Sequence, residues 1–293
     1  MIILVGYSPN KDSLGAVDLA CQLARSDGGA VHAVTVVPQA WPTPVAGDTD
    51  REFGRWASER GAESAAHASE YLVGHDVPTE ATWVPARSVP QALLDQAAKL
   101  EAELVVVGSG DDVPHGKVGI TSKTDRLLHS SAVPIAIAPR GYQAGPDSTV
   151  ERITMAFRGD DATWSLLERV AQIARRISAP LRIVTFAVRS RMMVPPTVSG
   201  AEDMVHNAWV EQARAEQARA AAHLHALGFP DERLRREVAV GRSWGGAMDS
   251  LEWKRGDVLV VGSSATHLLS RVFLGSSAAK IVRHATVPVI VVP

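Results

Sequence analysis

The amino-acid sequence predicts an α/β protein made of two successive three-layer α/β/α sandwiches, each with a five-stranded, parallel-type sheet. A repeat is the first observation that points to this fold. Residues 104–110 match residues 258–264 at an offset of 154, and the same offset aligns 133–139 with 287–293. The second observation is that short β-rich runs alternate with helical patterns in each copy, which is typical of β-α-β units and a parallel sheet.

Each copy is expected to alternate five strands with four helices. Near-continuous apolar runs such as Val105–Val107 are typical of strands that are covered on both faces. The predicted strands are 2–7, 30–37, 80–84, 103–107 and 133–138 in the first copy, and 152–157, 181–187, 236–240, 257–261 and 287–292 in the second. The predicted helices are 11–26, 50–73, 90–100 and 122–130, and then 161–177, 201–227, 244–254 and 276–284.

Residues 140–151 separate the two copies. Gly145 and Pro146 interrupt both helical and strand periodicity in this stretch, together with neighbouring small and polar residues. We therefore expect one domain over residues 1–140 and a second domain over residues 151–293.

Composition limits the classes of function. The chain has 293 residues, 46% of them hydrophobic and 21% charged, which is typical of a globular protein of about two domains. Its net charge of −2 gives no basic field for nucleic-acid binding, and its apolar runs are far shorter than the roughly 20 residues of a membrane span.

The single cysteine, Cys21, is expected to be a packed core thiol. Without a basic leader before the run Met1–Val5, a cytoplasmic location is expected.

The loop after the fourth strand of the second copy, residues 262–277, is the strongest candidate for a ligand site. In an open parallel sheet, ligands lie beyond the carboxyl ends of the strands. Small residues at both ends of this loop allow backbone N–H groups to approach an anion, and the helix that starts near Ser276 adds the positive end of its dipole. The same pattern also fits a simpler interpretation, in which Gly262 ends a strand and Ser276 caps a helix.

Each copy resembles a universal stress protein domain almost from end to end. Nucleotide-binding members of that family carry a G-x2-G-x9-G-[S/T] loop between the fourth strand and the last helix. The second copy has Gly262, Ala265 and Gly275 followed by Ser276 at these positions, and its closing run Val287–Val292 is also similar to the family. The resemblance implies a tandem universal stress protein with a Rossmann-like, adenine nucleotide alpha hydrolase-like fold.

The resemblance also implies a set of binding residues. In ATP-binding members the loop holds the phosphates and ribose, which in the second copy points to Gly262, Ala265, Gly275, Ser276 and Ser277. The family places an aspartate against the adenine at the end of the first strand, where the second copy has Arg158 and the first copy has Ser8. An arginine can stack on a base or project into solvent, but it cannot accept the hydrogen bond that a carboxylate accepts.

The first copy departs further from the family loop. It has Gly108, Asp111 and Thr121 at the three glycine positions. Asp111 and Asp112 place negative charge where phosphates would lie, which repels a nucleotide unless a lysine or a metal ion compensates. The resemblance therefore implies that ATP or another adenine nucleotide binds, if at all, in the second copy.

Three further patterns have structural explanations. The pairs Arg87-Ser88 and Arg242-Ser243 follow the third strand of each copy and are expected to cap the next helix, with ligand contact as the alternative. Trp56 and Trp209, in the long second helices, are expected to be buried against the sheet or a partner rather than to stack on a cofactor. The histidines of His223-Leu-His225 point to different faces of a helix, so no metal site is expected there.

The sequence has no nucleophile elbow, no Walker loop and no G-x-G-x-x-G after its first strand. Together with this absence, the resemblance implies a non-enzymatic stress-response regulator in which an adenine nucleotide binds, if at all, in the second copy, and which has an unidentified regulatory protein partner. The alternatives are an interaction module of the same fold that has lost nucleotide binding and, more distantly, a nucleotide-using enzyme. Because family members commonly dimerise through their last strands, the resemblance implies that residues 135–139 and 289–293 pair as an intramolecular pseudo-dimer, with further homodimerisation left open.

Overall fold

The computed structural model of the chain describes residues 1–9, 14–39, 49–189, 201–263 and 274–293. Strands and helices alternate in the predicted order. The strands are β1 Ile2–Tyr7, β2 Ala30–Pro38, β3 Thr79–Ala86, β4 Leu104–Gly108, β5 Ile135–Ala138, β6 Arg152–Ala156, β7 Leu181–Val188, β8 Leu234–Gly241, β9 Asp257–Gly262 and β10 Val289–Val292. The helices are α1 Leu14–Asp27, α2 Thr49–Leu72, α3 Val89–Lys99, α4 Ser122–Ser130, α5 Asp161–Arg176, α6 Ala201–Ala226, α7 Trp244–Asp249 and α8 Ser276–His284.

The ten strands form one sheet in the order β3-β2-β1-β4-β5-β10-β9-β6-β7-β8. Neighbouring strands within each half are parallel. The two halves meet in an antiparallel pair, in which Val289 lies opposite Ile137 and Val291 lies opposite Ile135. The prediction that the last strands pair within the chain is therefore confirmed, and the two five-stranded sheets continue into each other.

Helices cover both faces of this sheet. On one face, α1, α2, α5 and α6 enclose a single buried cluster that draws side chains from both halves. On the other face, α3, α4, α7 and α8 enclose a second cluster. Cys21 lies in the first cluster with no exposed surface, which confirms that it is a core thiol.

The connection between the halves is hydrogen-bonded to α1. Arg25 Nη1 donates to the Ser148 carbonyl at 2.6 Å, and the Val150 N–H donates to Ser26 Oγ at 2.8 Å. The Tyr142 hydroxyl also donates to Gln22 Oε1 on α1. The segment between β5 and β6 is therefore a folded part of the molecule rather than a loose tether.

Helix α7 ends earlier than the sequence predicts. The predicted helix covers 244–254, whereas α7 ends at Asp249. The carbonyl of Glu252 instead accepts hydrogen bonds from Arg152 Nη2 and from Arg182 Nη1, both at 2.9 Å. Because Arg182 is fully buried, its guanidinium group needs such an acceptor, and this tertiary contact outweighs the local helical pattern.

Candidate functional site

A cavity of about 670 Å³ opens in the second half, beyond the carboxyl ends of β6 and β7. This is the edge at which parallel sheets bind ligands. Its volume lies within the range of about 300–1,000 Å³ that is usual for small-molecule sites. Its walls come from these two strands and from helices α6, α7 and α8.

Aromatic rings form part of the wall. Phe186 on β7 and Trp244 at the start of α7 have ring centroids 6.3 Å apart, and Trp209 on α6 also lines the cavity. Trp56 and Trp209 are 47% and 42% exposed, so the prediction that they are buried against the sheet is wrong, whereas burial against a partner stays a prediction. In an open cavity, such rings offer flat apolar surfaces on which a base can stack.

Cationic side chains form another part of the wall. Arg158 and Arg189 line the cavity, and no carboxylate is among the described residues that line it. Arg158 follows β6 and forms an ion pair with Asp160, which also accepts a hydrogen bond from the Thr163 N–H at the start of α5. Burial opposes ionisation of Asp160, but hydrogen bonds from Thr163 and Arg158 outweigh it and hold its pKa below the ordinary value.

His206 adds an unsatisfied polar group to the wall. Its Nε2 atom is shielded from solvent and has no hydrogen-bond partner among the described residues. Leaving a buried polar nitrogen without a partner is unfavourable, so a ligand that offers a complementary group at this position gains a hydrogen bond.

The amino-terminal end of α8 reaches the cavity, since Ser277 and Ile281 line it. The cap residue of this helix is Gly275, which has no side chain, and Ser276 is the first helical residue. The interpretation in which Ser276 caps the helix is therefore wrong. Because the first N–H groups of a helix have no partner within it, this end of α8 is suited to an anion.

The described residues of the predicted site fall into three groups. Arg158 and Ser277 line the cavity, while Gly275 and Ser276 begin the helix that reaches it. Gly262 ends β9 as predicted, but a methyl group on it would lie 3.1 Å from a carbon of Leu166 on α5, so its free side faces that helix. Ala265 lies outside the described residues.

The corresponding helix of the first half, α4, is capped by its own chain. Thr121 takes the place of Gly275, and its hydroxyl accepts a hydrogen bond from the Thr124 N–H at 3.1 Å. Asp112 lies beside this end of the helix: a methyl group on Gly110 would be 2.8 Å from Asp112 Oδ1 and 2.7 Å from Thr121 Cγ2. In the first half, the chain's own Thr121 thus accepts one of the helix's first N–H groups, and a carboxylate lies near the same helix end.

The loop before α4 is closed by its own hydrogen bonds. The Gly119 N–H donates to Ser109 Oγ at 2.9 Å, and the Gly116 N–H donates to the Arg140 carbonyl at 2.9 Å. Backbone amides in this loop thus already bond within the protein, which leaves fewer of them for a ligand.

Comparison with known proteins identifies the family. The universal stress protein family model matches residues 1–139 and again residues 149–293. A universal stress protein of Mycobacterium tuberculosis is 36% identical over 296 residues, which cover 100% of both chains. The chain belongs to the universal stress protein family. It carries two universal stress protein domains in tandem.

More distant relatives agree with this assignment. A universal stress protein of Mycolicibacterium smegmatis is 25% identical over 299 residues, covering 99% of this chain and 96% of its own. The crystal structure of a universal stress protein from Archaeoglobus fulgidus superposes with a TM-score of 0.69 at 15% identity, covering 99% of this chain and 97% of that one. At that identity the match supports the fold alone.

Both universal stress protein domains use the predicted serine caps. The Gly246 N–H donates to Ser243 Oγ at 3.1 Å and the Gln91 N–H donates to Ser88 Oγ at 3.5 Å, which confirms the capping prediction. In the second domain, this cap fixes the start of α7 and so sets Trp244 at the cavity. That residue was missed from the sequence, although its place directly after the Arg-Ser pair was a usable signal.

The described residues offer neither a membrane-spanning helix nor a cluster of metal ligands. Every helix among them is too short or too polar to span a lipid bilayer. The same residues contain no group of three or more His, Cys, Asp or Glu side chains arranged to hold a metal ion.

Proposed function

We propose that the second universal stress protein domain binds an adenine nucleotide, with ATP as the foremost candidate, and that the chain acts as a non-enzymatic regulator in the stress response. The observation that carries this proposal is the meeting of the 670 Å³ cavity with the glycine-capped start of α8. A nucleotide needs a flat apolar surface for its base and a cluster of donors for its phosphates, and the cavity offers both.

The parts of a nucleotide match different walls of the cavity. The indole rings of Trp209 and Trp244 suit the base, while the first backbone amides of α8 and the Ser277 hydroxyl suit the phosphates. Arg158 is held at the edge of the cavity by Asp160, and from there its guanidinium plane can stack on a base. Its positive charge also favours a polyanionic ligand.

We assign nucleotide binding to the second domain alone. In the first domain, Thr121 caps α4 and Asp112 lies beside the same helix end, which supports a structural or partner-binding role for that domain. An interaction module without any nucleotide is the second candidate function, and this self-capped domain is the observation that favours it.

Calorimetric titration of the full chain with ATP and Mg²⁺ tests the proposal. We expect about one site per chain, together with a rise in melting temperature, because a ligand that binds only the folded state stabilises it. Gly275→Asp should abolish binding. Aspartate is a good cap residue and Gly275 has φ −56°, so the variant should fold while its carboxylate repels phosphate.

The matched control is Thr121→Asp, the same change at the corresponding residue of the first domain. It should leave ATP binding unchanged. Absence of both heat and a thermal shift in the unmodified protein would leave the interaction module as the function. Two sites per chain, or a loss of binding in Thr121→Asp, would contradict the assignment to the second domain.

A further inference from the structure

A second cavity, of about 210 Å³, lies at the junction of the two halves, between α1 and α5. Val260, Ile290 and Val292 from strands β9 and β10 are among the residues that line it. Leu23 from α1 and Ile173 from α5 also line it. This cavity shares no described lining residue with the proposed nucleotide site, and it is lined mainly by apolar side chains.

Two ion pairs neutralise four of the charged groups that line this cavity. Arg176 on α5 donates from Nε and Nη2 to the two carboxylate oxygens of Asp27 on α1, at 2.5 Å each. The amino terminus of Met1 lies 3.6 Å from Glu103 Oε1. Both carboxylates in the lining are thus already paired with cations.

One cation in the lining has no such partner. Arg169, on the exposed side of α5, forms no ion pair or hydrogen bond within the part of the chain that the structure describes. The cavity therefore combines an apolar interior with one uncompensated positive charge. A ligand that complements both features has an apolar tail and an anionic head.

We propose that this interdomain cavity binds a small anionic amphiphile of the medium-chain carboxylate class. A methylene group occupies close to the volume of a water molecule, about 30 Å³, so the cavity holds a tail of about seven carbons. The tail lies over Ile290 and Val292, and the carboxylate meets the guanidinium group of Arg169. Since Leu23 and Leu104 come from the first half and Ile173 from the second, such a ligand contacts both domains at once.

The proposal is tested on the full chain with a series of straight-chain carboxylates, each kept below its micelle concentration. Calorimetry should show affinity rising about fourfold for each added methylene, since each buried methylene contributes a roughly constant free energy, and levelling off near octanoate. Octan-1-ol, which has the same tail without the charge, should bind more weakly. Failure of octanoate to bind would overturn the proposal, and so would equal affinity for octanoate and octan-1-ol.

Two variants locate the site. Arg169→Gln should weaken octanoate binding about two- to fivefold, the range expected of an exposed ion pair, and should leave octan-1-ol unaffected. Arg126→Gln, at an exposed arginine of α4 on the other face of the sheet, is the matched control and should change nothing. Ile173→Asp should abolish binding, because it places a carboxylate in the lining; Ile173 is 42% exposed, so folding should be preserved.

Equal effects of Arg169→Gln and Arg126→Gln on octanoate binding would refute the contact between the carboxylate and Arg169. Analytical sedimentation at rising protein concentration tests whether a second copy of this chain occupies the cavity instead. If a dimer forms that Ile173→Asp dissociates, the cavity belongs to a self-interface and the amphiphile proposal is wrong. Because ATP binding is measured separately, none of these results depends on the proposed nucleotide site.

Discussion

Replacing Trp209 by alanine is the sharpest test of how the proposed nucleotide site holds a base. The indole ring lines the cavity and is 42% exposed without a ligand, so its removal leaves no buried void in the core. Stacking of a base on an aromatic side chain is worth about 1–3 kcal/mol in alanine substitutions. We therefore expect Trp209→Ala to weaken ATP binding about fivefold to 150-fold.

The first domain offers a matched control at Trp56. The hydroxyl of Ser64 bonds with Thr35 on β2, and Gln217 donates to the corresponding Thr185 on β7, so Ser64 and Gln217 occupy equivalent places on α2 and α6. Trp56 precedes Ser64 by the same number of residues as Trp209 precedes Gln217. Trp56→Ala therefore removes an indole from the equivalent helix position and should leave ATP affinity unchanged.

Calorimetric titration of both variants with ATP and Mg²⁺ gives the affinities, and circular dichroism checks that each variant is folded. Unchanged ATP affinity of Trp209→Ala would refute stacking of the base on Trp209. Equal losses of affinity in the two alanine variants would refute it as well, because the effect would then not come from contact with the base.

Further predictions concern stability and reactivity. A methyl group on Gly61 of α2 would lie 2.4 Å from the Trp83 ring, so Gly61→Ala should destabilise the protein by about 1–3 kcal/mol in chemical denaturation. In contrast, Gly54→Ala in the same helix meets open space and should stabilise the protein by about 1 kcal/mol. Burial lowers the pKa of His75 below its ordinary 6.5, so the unfolded chain binds more protons and stability falls as pH drops below 6.5; His75→Gln should reduce that slope in denaturation curves. Burial raises the pKa of Cys21 to about 12, so mass spectrometry should detect its alkylation only after unfolding.

The fold follows from the sequence to the extent that local patterns are unambiguous. The apolar runs that end each copy predict β5 and β10, and the repeat predicts that the two halves share one topology. The end of α7 was not predictable in this way. The helix ends where it does because the buried Arg182 on β7, which lies far from α7 in the sequence, donates a hydrogen bond to the Glu252 carbonyl. The residues around 244–254 alone give no sign of this contact.

The candidate site was only partly predictable. Ser277 and Arg158 were expected only through the resemblance to the universal stress protein family, because they stand at positions of the family's loop and at the end of its first strand. That Trp209 lines an open cavity rather than packing against the sheet was not predictable, because a tryptophan in a helical pattern can face either one and its own neighbours do not distinguish the two. His206 carries no sequence signal, since its significance comes from a shielded nitrogen without a partner.

The difference between the domains at the last helix has a simple energetic basis. Helices α4 and α8 both have nine residues and occupy equivalent places, but Thr121 caps the first and Gly275 caps the second. Glycine at a cap is only a few tenths of a kcal/mol worse than a hydroxyl or carboxamide residue, and it offers the first amides no side-chain acceptor of its own. The scaffold therefore tolerates either residue at this position. Under the proposed function, the residue at this position decides whether the helix end binds phosphate or is hydrogen-bonded by its own cap residue. The two copies can therefore differ in ligand binding while they keep the same fold.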